Sequence, residues 1–392
     1  MTSAIIITLC VLLLVAYLFD FTAPKTRIPS VVLLLLLGWT CQQITKVLHF
    51  DLPDLNPALP ILGTIGLILI VLEGSLELEL KKSKRKMIRN AFIMALLPML
   101  VLAAGITLVL TYYGWNNQRI NLVNSLPLCI ISSAIAIPTA RSLSAATREF
   151  ITYESSFSDI VGVLFFNFLA LNTTFEWATG LTFFLHILIM VVISIVATIF
   201  LAMMLNRIKH HIRYIPILLI VILIYSVCKI YHLPGLIFIL LFGLFLGNLL
   251  SLQQLPFLQQ VNLQPLKEQV HKLHDILVEG AFLVRSLFFI LFGFLLETSD
   301  LLNTRTLSWS VGITVGLFVI RAIHLRLLKL PMTTYLPIAP RGLITILLFL
   351  SIEPGDQLVL FNKSLVMQVI LLSALVMMFG MMSQKKESES HT

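Results

Sequence analysis

Within the run Tyr153-Glu154-Ser155-Ser156-Phe157-Ser158-Asp159 the chain sets two carboxylates and three serine hydroxyls close together. On a helix Ser155 and Asp159 are four residues apart and share one face, while Glu154 and Ser158 share the neighbouring one. Such an oxygen-rich patch suits a hard monovalent cation, sodium or lithium, and offers nothing soft to a transition metal. Glu73, Arg285 and Arg341 also fall near the centres of long apolar runs. An isolated charge there costs several kcal/mol, so each must face a partner or a cavity. The plainer reading, a buried pair that only fixes helix packing, weighs more for the arginines than for Asp159.

Two proline-interrupted stretches accompany these groups. One reads Ile131-Ser132-Ser133-Ala134-Ile135-Ala136-Ile137-Pro138-Thr139, and the other Leu336-Pro337-Ile338-Ala339-Pro340-Arg341-Gly342. Pro138 removes a backbone donor and clashes with the preceding turn, so a break or kink is predicted there. Interrupted segments at matching positions of two halves are how an inverted-repeat transporter builds a midplane site from half-helix ends and freed carbonyls, which brings Ser132 and Ser133 into the candidate set. A further cluster, His271, Asp275 and Glu279, is spaced by four with His274 beside it. Its bland reading is a solvated helix end, and its functional one a cytoplasmic pH sensor; a metal site is the weakest of the three.

The elements that must position these groups are membrane helices. The chain is 58% hydrophobic and 12% charged, with a mean hydropathy of +0.98, more apolar than a water-soluble domain of this size requires. About 13 segments satisfy the length and apolarity of a spanning helix, near 2–20, 28–48, 61–80, 88–112, 122–146, 149–172, 178–206, 212–231, 234–250, 272–296, 306–329, 331–352 and 361–383. Thr2 to Phe19 lacks a basic leader and a small-residue cleavage site, which makes it a retained first span. Alternate loops carry Lys25 and Arg27; Lys81 to Arg89; Arg141 and Arg148; Arg207, Lys209 and Arg213; Lys267 and Lys272; Arg326 and Lys329; and Lys385 and Lys386. The opposite loops hold only Lys46, Arg119, Lys229, Arg305 and Lys363. The positive-inside rule then puts the N-terminus outside and the tail 384–392 in the cytoplasm, in a bacterial inner membrane.

The net charge of +8 is therefore a topology signal and not a nucleic-acid surface, since no basic stripe is interleaved with aromatics. Lys81 to Arg89 is a topology anchor that also suits anionic lipid. No loop is long enough for a soluble module; the longest, Ser251 to His271, is a Gln-rich connector. Cys10, Cys41, Cys129 and Cys228 read as buried small hydrophobes. No H-E-x-x-H, nucleophile elbow or phosphate loop marks an enzyme, and no cofactor is implied.

In order along the chain, several stretches resemble the monovalent cation:proton antiporter superfamily, and the sodium/proton exchangers within it most closely. Ile65-Gly66-Leu67 through Val71-Leu72-Glu73-Gly74-Ser75-Leu76-Glu77-Leu78 is similar to the family's third span, Glu154 to Asp159 to its ion-binding helix, Leu287-Phe288-Phe289 to Gly293 to its tenth span, and Pro340-Arg341-Gly342 to its Arg-Gly motif. The resemblance implies an all-α fold of 13 transmembrane helices with two Pro-broken crossing helices, a core domain and a dimerisation domain, assembled as a homodimer. Core-forming regions are expected near 61–172 and 272–383. Asp159 would hold the cation and the proton in turn; Glu154, Ser155 and Glu73 would be ligands or close supports; Arg341 would pair with Glu154. Two positions depart from the family pattern. Ser158 stands where the exchangers carry Asn, and Thr-Asp-Pro of the first broken helix is replaced by Ser-Ala-Ile with the proline displaced to Pro138.

Counting Glu73, Glu154 and Asp159 against Arg285 and Arg341 leaves the midplane short of one positive charge, so one proton or one cation would neutralise it. That predicts one-for-one, electroneutral exchange, with the two ions competing for Asp159. The rival readings are a sodium-coupled carrier of an organic anion on a related scaffold, and a non-transporting sensor or intramembrane enzyme. Three intramembrane acids favour cation exchange.

Overall fold

The computed structural model describes residues 2–26, 28–49, 54–78, 82–141, 143–172, 177–207, 214–231, 233, 235–248 and 264–383. The tail 384–392, the stretch 251–263 of the Gln-rich connector, and Arg27, Lys81, Lys209, Arg213, Lys385 and Lys386 of the orienting charges lie outside these residues.

Every extended element among the described residues is a helix, as a chain that must satisfy its own backbone in lipid requires. In chain order they are α1 (Thr2–Thr26), α2 (Ser30–Val47), α3 (Ala58–Glu77), α4 (Arg85–Tyr112), α5 (Gln118–Cys129), α6 (Ser133–Ala140), α7 (Ala145–Leu171), α8 (Trp177–Arg207), α9 (Tyr214–Ile230), α10 (Gly235–Gly247), α11 (Gln264–Phe294), α12 (Thr298–Leu301), α13 (Thr304–Leu327), α14 (Met332–Tyr335), α15 (Leu343–Leu350) and α16 (Lys363–Ser383). Among the described residues ten helical segments are long and apolar enough to cross a membrane, taking α5 with α6 as one, and α9 and α10 are shorter apolar helices.

Burial separates the helices by role. The faces of α1, α8 and α9 expose Ile6, Leu14, Leu185, Val192, Leu219 and Leu223, apolar side chains that suit lipid. Cys10 is exposed on α1 and Cys41 half-buried, so only Cys129 and Cys228 fit the expectation of buried cysteines; a lipid-facing helix leaves small apolar groups uncovered. By contrast α3 buries an unbroken run from Gly66 to Leu76. It packs on α10 and α11, and also touches α6, α7 and α15. On its other side α11 packs against α2. A Cβ on Gly38 would sit 2.1 Å from the Ile290 carbonyl oxygen, and one on Gly293 2.3 Å from that of Leu35, so these two helices meet backbone to backbone. A second group forms around α4, which packs on α5, α7 and α13, with α6 on α7 and α13 on α16.

The fifth expected span is two half-helices, and its break falls at Ile130 to Ser132, not at Pro138. Pro138 lies inside α6, where the missing donor costs one ladder bond and Thr139 Oγ1 donates to the Ile135 carbonyl in the same turn (2.7 Å). The twelfth is interrupted where expected: Leu336 to Gly342, with both prolines, separates α14 from α15. A break at this depth is tolerated because its backbone groups find partners on other elements. The Ile131 N–H donates to Ser158 Oγ (2.9 Å), the Ser132 N–H to the Pro340 carbonyl (2.9 Å) and the Ser133 N–H to Asp159 Oδ2 (3.3 Å). The Ser132 bond ties one unwound stretch directly to the other.

Candidate ion-binding site

Where the two unwound stretches meet α7, the structure gathers Asp159, Ser132, Ser133 and Ser158, all buried. Asp159 is 1% exposed. Its Oδ2 accepts from both the backbone N–H and the hydroxyl of Ser133. Ser133 opens α6, so the carboxylate sits on the positive end of a half-helix. The negative charge that the α6 N-terminus faces here is that of Asp159. Oδ1 of Asp159 and Oγ of Ser132 are buried with no hydrogen-bond partner. No arginine, lysine or histidine among the described residues forms an ion pair with Asp159.

Ser158 uses its hydroxyl to accept from Ile131, so the residue standing for the family's Asn holds the break of α5–α6. Ser155 donates to the Ile151 carbonyl (2.8 Å), which leaves its oxygen lone pairs open on the Asp159 face of α7.

Glu154 does not pair with Arg341. Its carboxylate takes both terminal nitrogens of Arg321, on α13, in a two-pronged pair with Nη2 to Oε2 at 2.9 Å and both side chains 2% exposed. The same guanidinium donates to the Tyr335 carbonyl at the end of α14. Arg341 turns the other way. It donates to the carbonyls of Leu128 (2.9 Å) and Cys129 (2.9 Å), the last residues of α5, and to that of Ala339 (2.7 Å). Each arginine thus caps the negative C-terminal end of one broken helix, where orphan carbonyls demand donors. Gly342 allows the stretches this close, since a Cβ there would lie 2.7 Å from Ile135 Cδ1 and 3.0 Å from Ser132 Oγ.

Arg321 also changes the charge count: it, and not Arg341, answers Glu154, while Arg341 is spent on helix-end carbonyls, so Asp159 is left without a paired cation among the described residues. Sequence reasoning passed over Arg321 although it falls inside the expected span 306–329, and a complete tally of charges within each span would have found it.

Glu73 lies apart from the serine cluster in its contacts. It faces Arg141 (3.9 Å), which also reaches Asp20 (3.8 Å), and Asp20 in turn faces Arg285 (3.8 Å) and accepts from Ser30 Oγ (3.2 Å). Of the presumed sensor cluster, His271, Asp275 and Glu279 are exposed on α11, whereas His274 is half-buried on another face with Nε2 3.4 Å from Glu77. No group of three or more His, Cys, Asp or Glu among the described residues is disposed to hold a metal.

A cavity of about 490 Å³ lies toward the end of the bundle away from Arg141, lined by Thr64, Leu67, Val163, Asn167, Lys229 and Ser351 among others. Val163 is one helical turn beyond Asp159 on α7.

Two solved structures of the sodium proton antiporter MjNhaP1 from Methanocaldococcus jannaschii resemble this chain. One, at pH 8, has a TM-score of 0.72 with 17% identity, covering 95% of this chain and 98% of that one. The other, a three-dimensional electron microscopy map, has a TM-score of 0.66 with 19% identity, covering 97% and 95%. No match is found among curated proteins. The family model for the sodium/hydrogen exchanger transmembrane region matches residues 10–383, nearly the whole chain. The chain is a multi-pass membrane protein that belongs to the sodium/hydrogen exchanger family.

Proposed function

We propose that this protein exchanges a monovalent alkali cation, sodium with lithium and potassium as the alternatives, for a proton, one for one and without net charge movement. The observation that carries this reading is Asp159: a buried carboxylate held on one oxygen by Ser133, with the other oxygen unpartnered and no cationic side chain beside it. A buried carboxylate without a counter-charge is unfavourable by several kcal/mol, and one proton or one cation relieves it. The other buried acids each face an arginine, Glu154 Arg321 and Glu73 Arg141, so the exchangeable charge is that of Asp159.

Around a bound cation, Asp159 Oδ1 and Ser132 Oγ supply free oxygens, with Ser133, Ser155 and Ser158 as further ligands or supports and Glu73 within reach after a rearrangement of α3 against α6. Arg341 and Arg321 hold the broken helices whose ends frame the site, and Arg285 balances the acids at the far end of α6. Ten long spans, the short helices α9 and α10 and the interrupted α14–α15 segment make up 13 spans of an inverted repeat, in which α5–α6 and α14–α15 cross. Core-forming regions 61–172 and 272–383 move against the rest, and the protein works as a homodimer in lipid, with its N-terminus outside a bacterial inner membrane. His271, His274, Asp275 and Glu279 are proposed as a pH-responsive face of α11.

Inverted vesicles test the assignment. A sodium pulse should move protons with the native chain, and Asp159→Asn should abolish that movement at unchanged protein level. Retained sodium-dependent proton movement in Asp159→Asn sinks it.

A further inference from the structure

Two kinds of buried or half-buried ion pair occupy this molecule, and they differ in what they are suited to. The Glu154–Arg321 pair is sealed and two-pronged, a fixed joint. The cluster at the other end of α6 is loose: Arg141 stands 3.8 Å from Asp20 and 3.9 Å from Glu73, with 41% of its side chain exposed, and Arg285 stands 3.8 Å from Asp20. Its four members come from four places, Asp20 on α1, Glu73 on α3, Arg285 on α11 and Arg141 as the C-cap of α6. Arg141 is the exposed member and meets two acids at nearly 4 Å, so its contacts are individually weak and can be broken and remade, which is what a reversible contact needs.

The position of Arg141 gives the cluster its meaning. One end of α6 is Ser133, which holds Asp159; the other end is Arg141. Eight helical residues form a rigid rod of about 12 Å between the two. Whatever shifts the Ser133 end when Asp159 exchanges its ligand also shifts Arg141 relative to Asp20 and Glu73. The cavity beside Val163 lies toward the opposite end of α7, away from the cluster.

We infer that Asp20, Glu73, Arg141 and Arg285 form a latch that closes the ion path at the basic-loop end, with Arg141 and Asp20 as positioning residues whose contact breaks when that end opens. With Arg141 withdrawn, Arg285 remains to face both Asp20 and Glu73, so no acid is left without a cation in the open state. The inference rests on the exchange reading for its purpose, but its first test does not measure transport.

A probe cysteine at Ile137, whose Cδ1 lies at the α3–α6 seam beside Gly74, reports opening. In the full chain reconstituted in lipid, with Cys10, Cys41, Cys129 and Cys228 replaced by Ser, Ile137→Cys is labelled by an impermeant thiol reagent added at the basic-loop face. Asp20→Asn should speed labelling about two- to fivefold, the loss of one weak pair. Arg141→Gln should speed labelling as well, and combining it with Asp20→Asn should add little to either single change, as expected of two partners in one contact. Should the cysteine-replaced chain fail to fold, the ratio of half-saturating sodium concentrations measured at the two faces of proteoliposomes, with all native cysteines present, should shift by the same factor in Asp20→Asn; loss of folded protein alone would leave that ratio unmoved. Labelling and ratio both unchanged by Asp20→Asn overturn the latch. Failure of the exchange reading looks different: native vesicles that move no protons on a sodium pulse.

Discussion

Asp159 and Glu154 are five residues apart on one helix and are set up for opposite work. Glu154 is matched by Arg321, so Glu154→Gln strands a buried guanidinium and should destabilise the protein by about 3–5 kcal/mol, a large fall in the melting temperature of purified protein. Adding Arg321→Gln should recover much of that loss. Asp159→Asn removes an unmatched buried charge and should hold or raise the melting temperature while exchange disappears. Ser132, with its hydroxyl buried and unpartnered, should matter to affinity: Ser132→Ala should raise the half-saturating cation concentration about five- to hundredfold at little cost in folded protein, as measured by cation-driven proton flux. Much of this site is legible in the residues themselves, because an acid in an apolar run with serines at helical spacing has few other uses. The partners were not. Arg341 and Arg321 both sit in apolar surroundings, and which of them meets Glu154 depends on the direction in which each unwound or helical segment presents its guanidinium, a long-range property without local signature.

The broken helices show where local rules stop. A proline signals the loss of one donor, and from Pro138 the break was placed six residues too late, since the unwinding at Ile130 to Ser132 is fixed by acceptors on α7 and in the other interrupted stretch. Near Pro337 and Pro340 the prolines and the break coincide because two of them fall within four residues. Arg341→Gln should therefore act at a distance: it frees the α5 carbonyls of Leu128 and Cys129, and should lower both thermal stability and exchange although it touches no ligand. Gly293→Val should do its damage elsewhere. It drives a side chain into the backbone of α2 at Leu35 and should reduce folded protein, read by size-exclusion chromatography, without altering the sodium affinity of what remains.

For the molecule as a whole, hydropathy was enough to show an all-helical chain with many membrane-spanning segments, because lipid leaves a chain few choices of backbone. How the spans pack, and that Asp20 and Glu73 share Arg141 at the far end of α6 with Arg285 beside Asp20, follow from tertiary geometry that no pattern along the chain reveals. If exchange runs on Asp159 alone, as proposed, a full cycle moves one charge in each direction, and proteoliposomes clamped at zero voltage should carry no current while protons exchange for cations. Competition for one carboxylate also sets the sign of the pH effect: protons displace the cation, so each unit of acidification should raise the half-saturating cation concentration by up to about tenfold in the range where Asp159 takes up a proton. The most direct measurement is proton release by the purified protein on adding sodium in weakly buffered solution. One proton per chain from the native protein and none from Asp159→Asn is the predicted result; sodium binding with no proton released, or equal release from the variant, would contradict it.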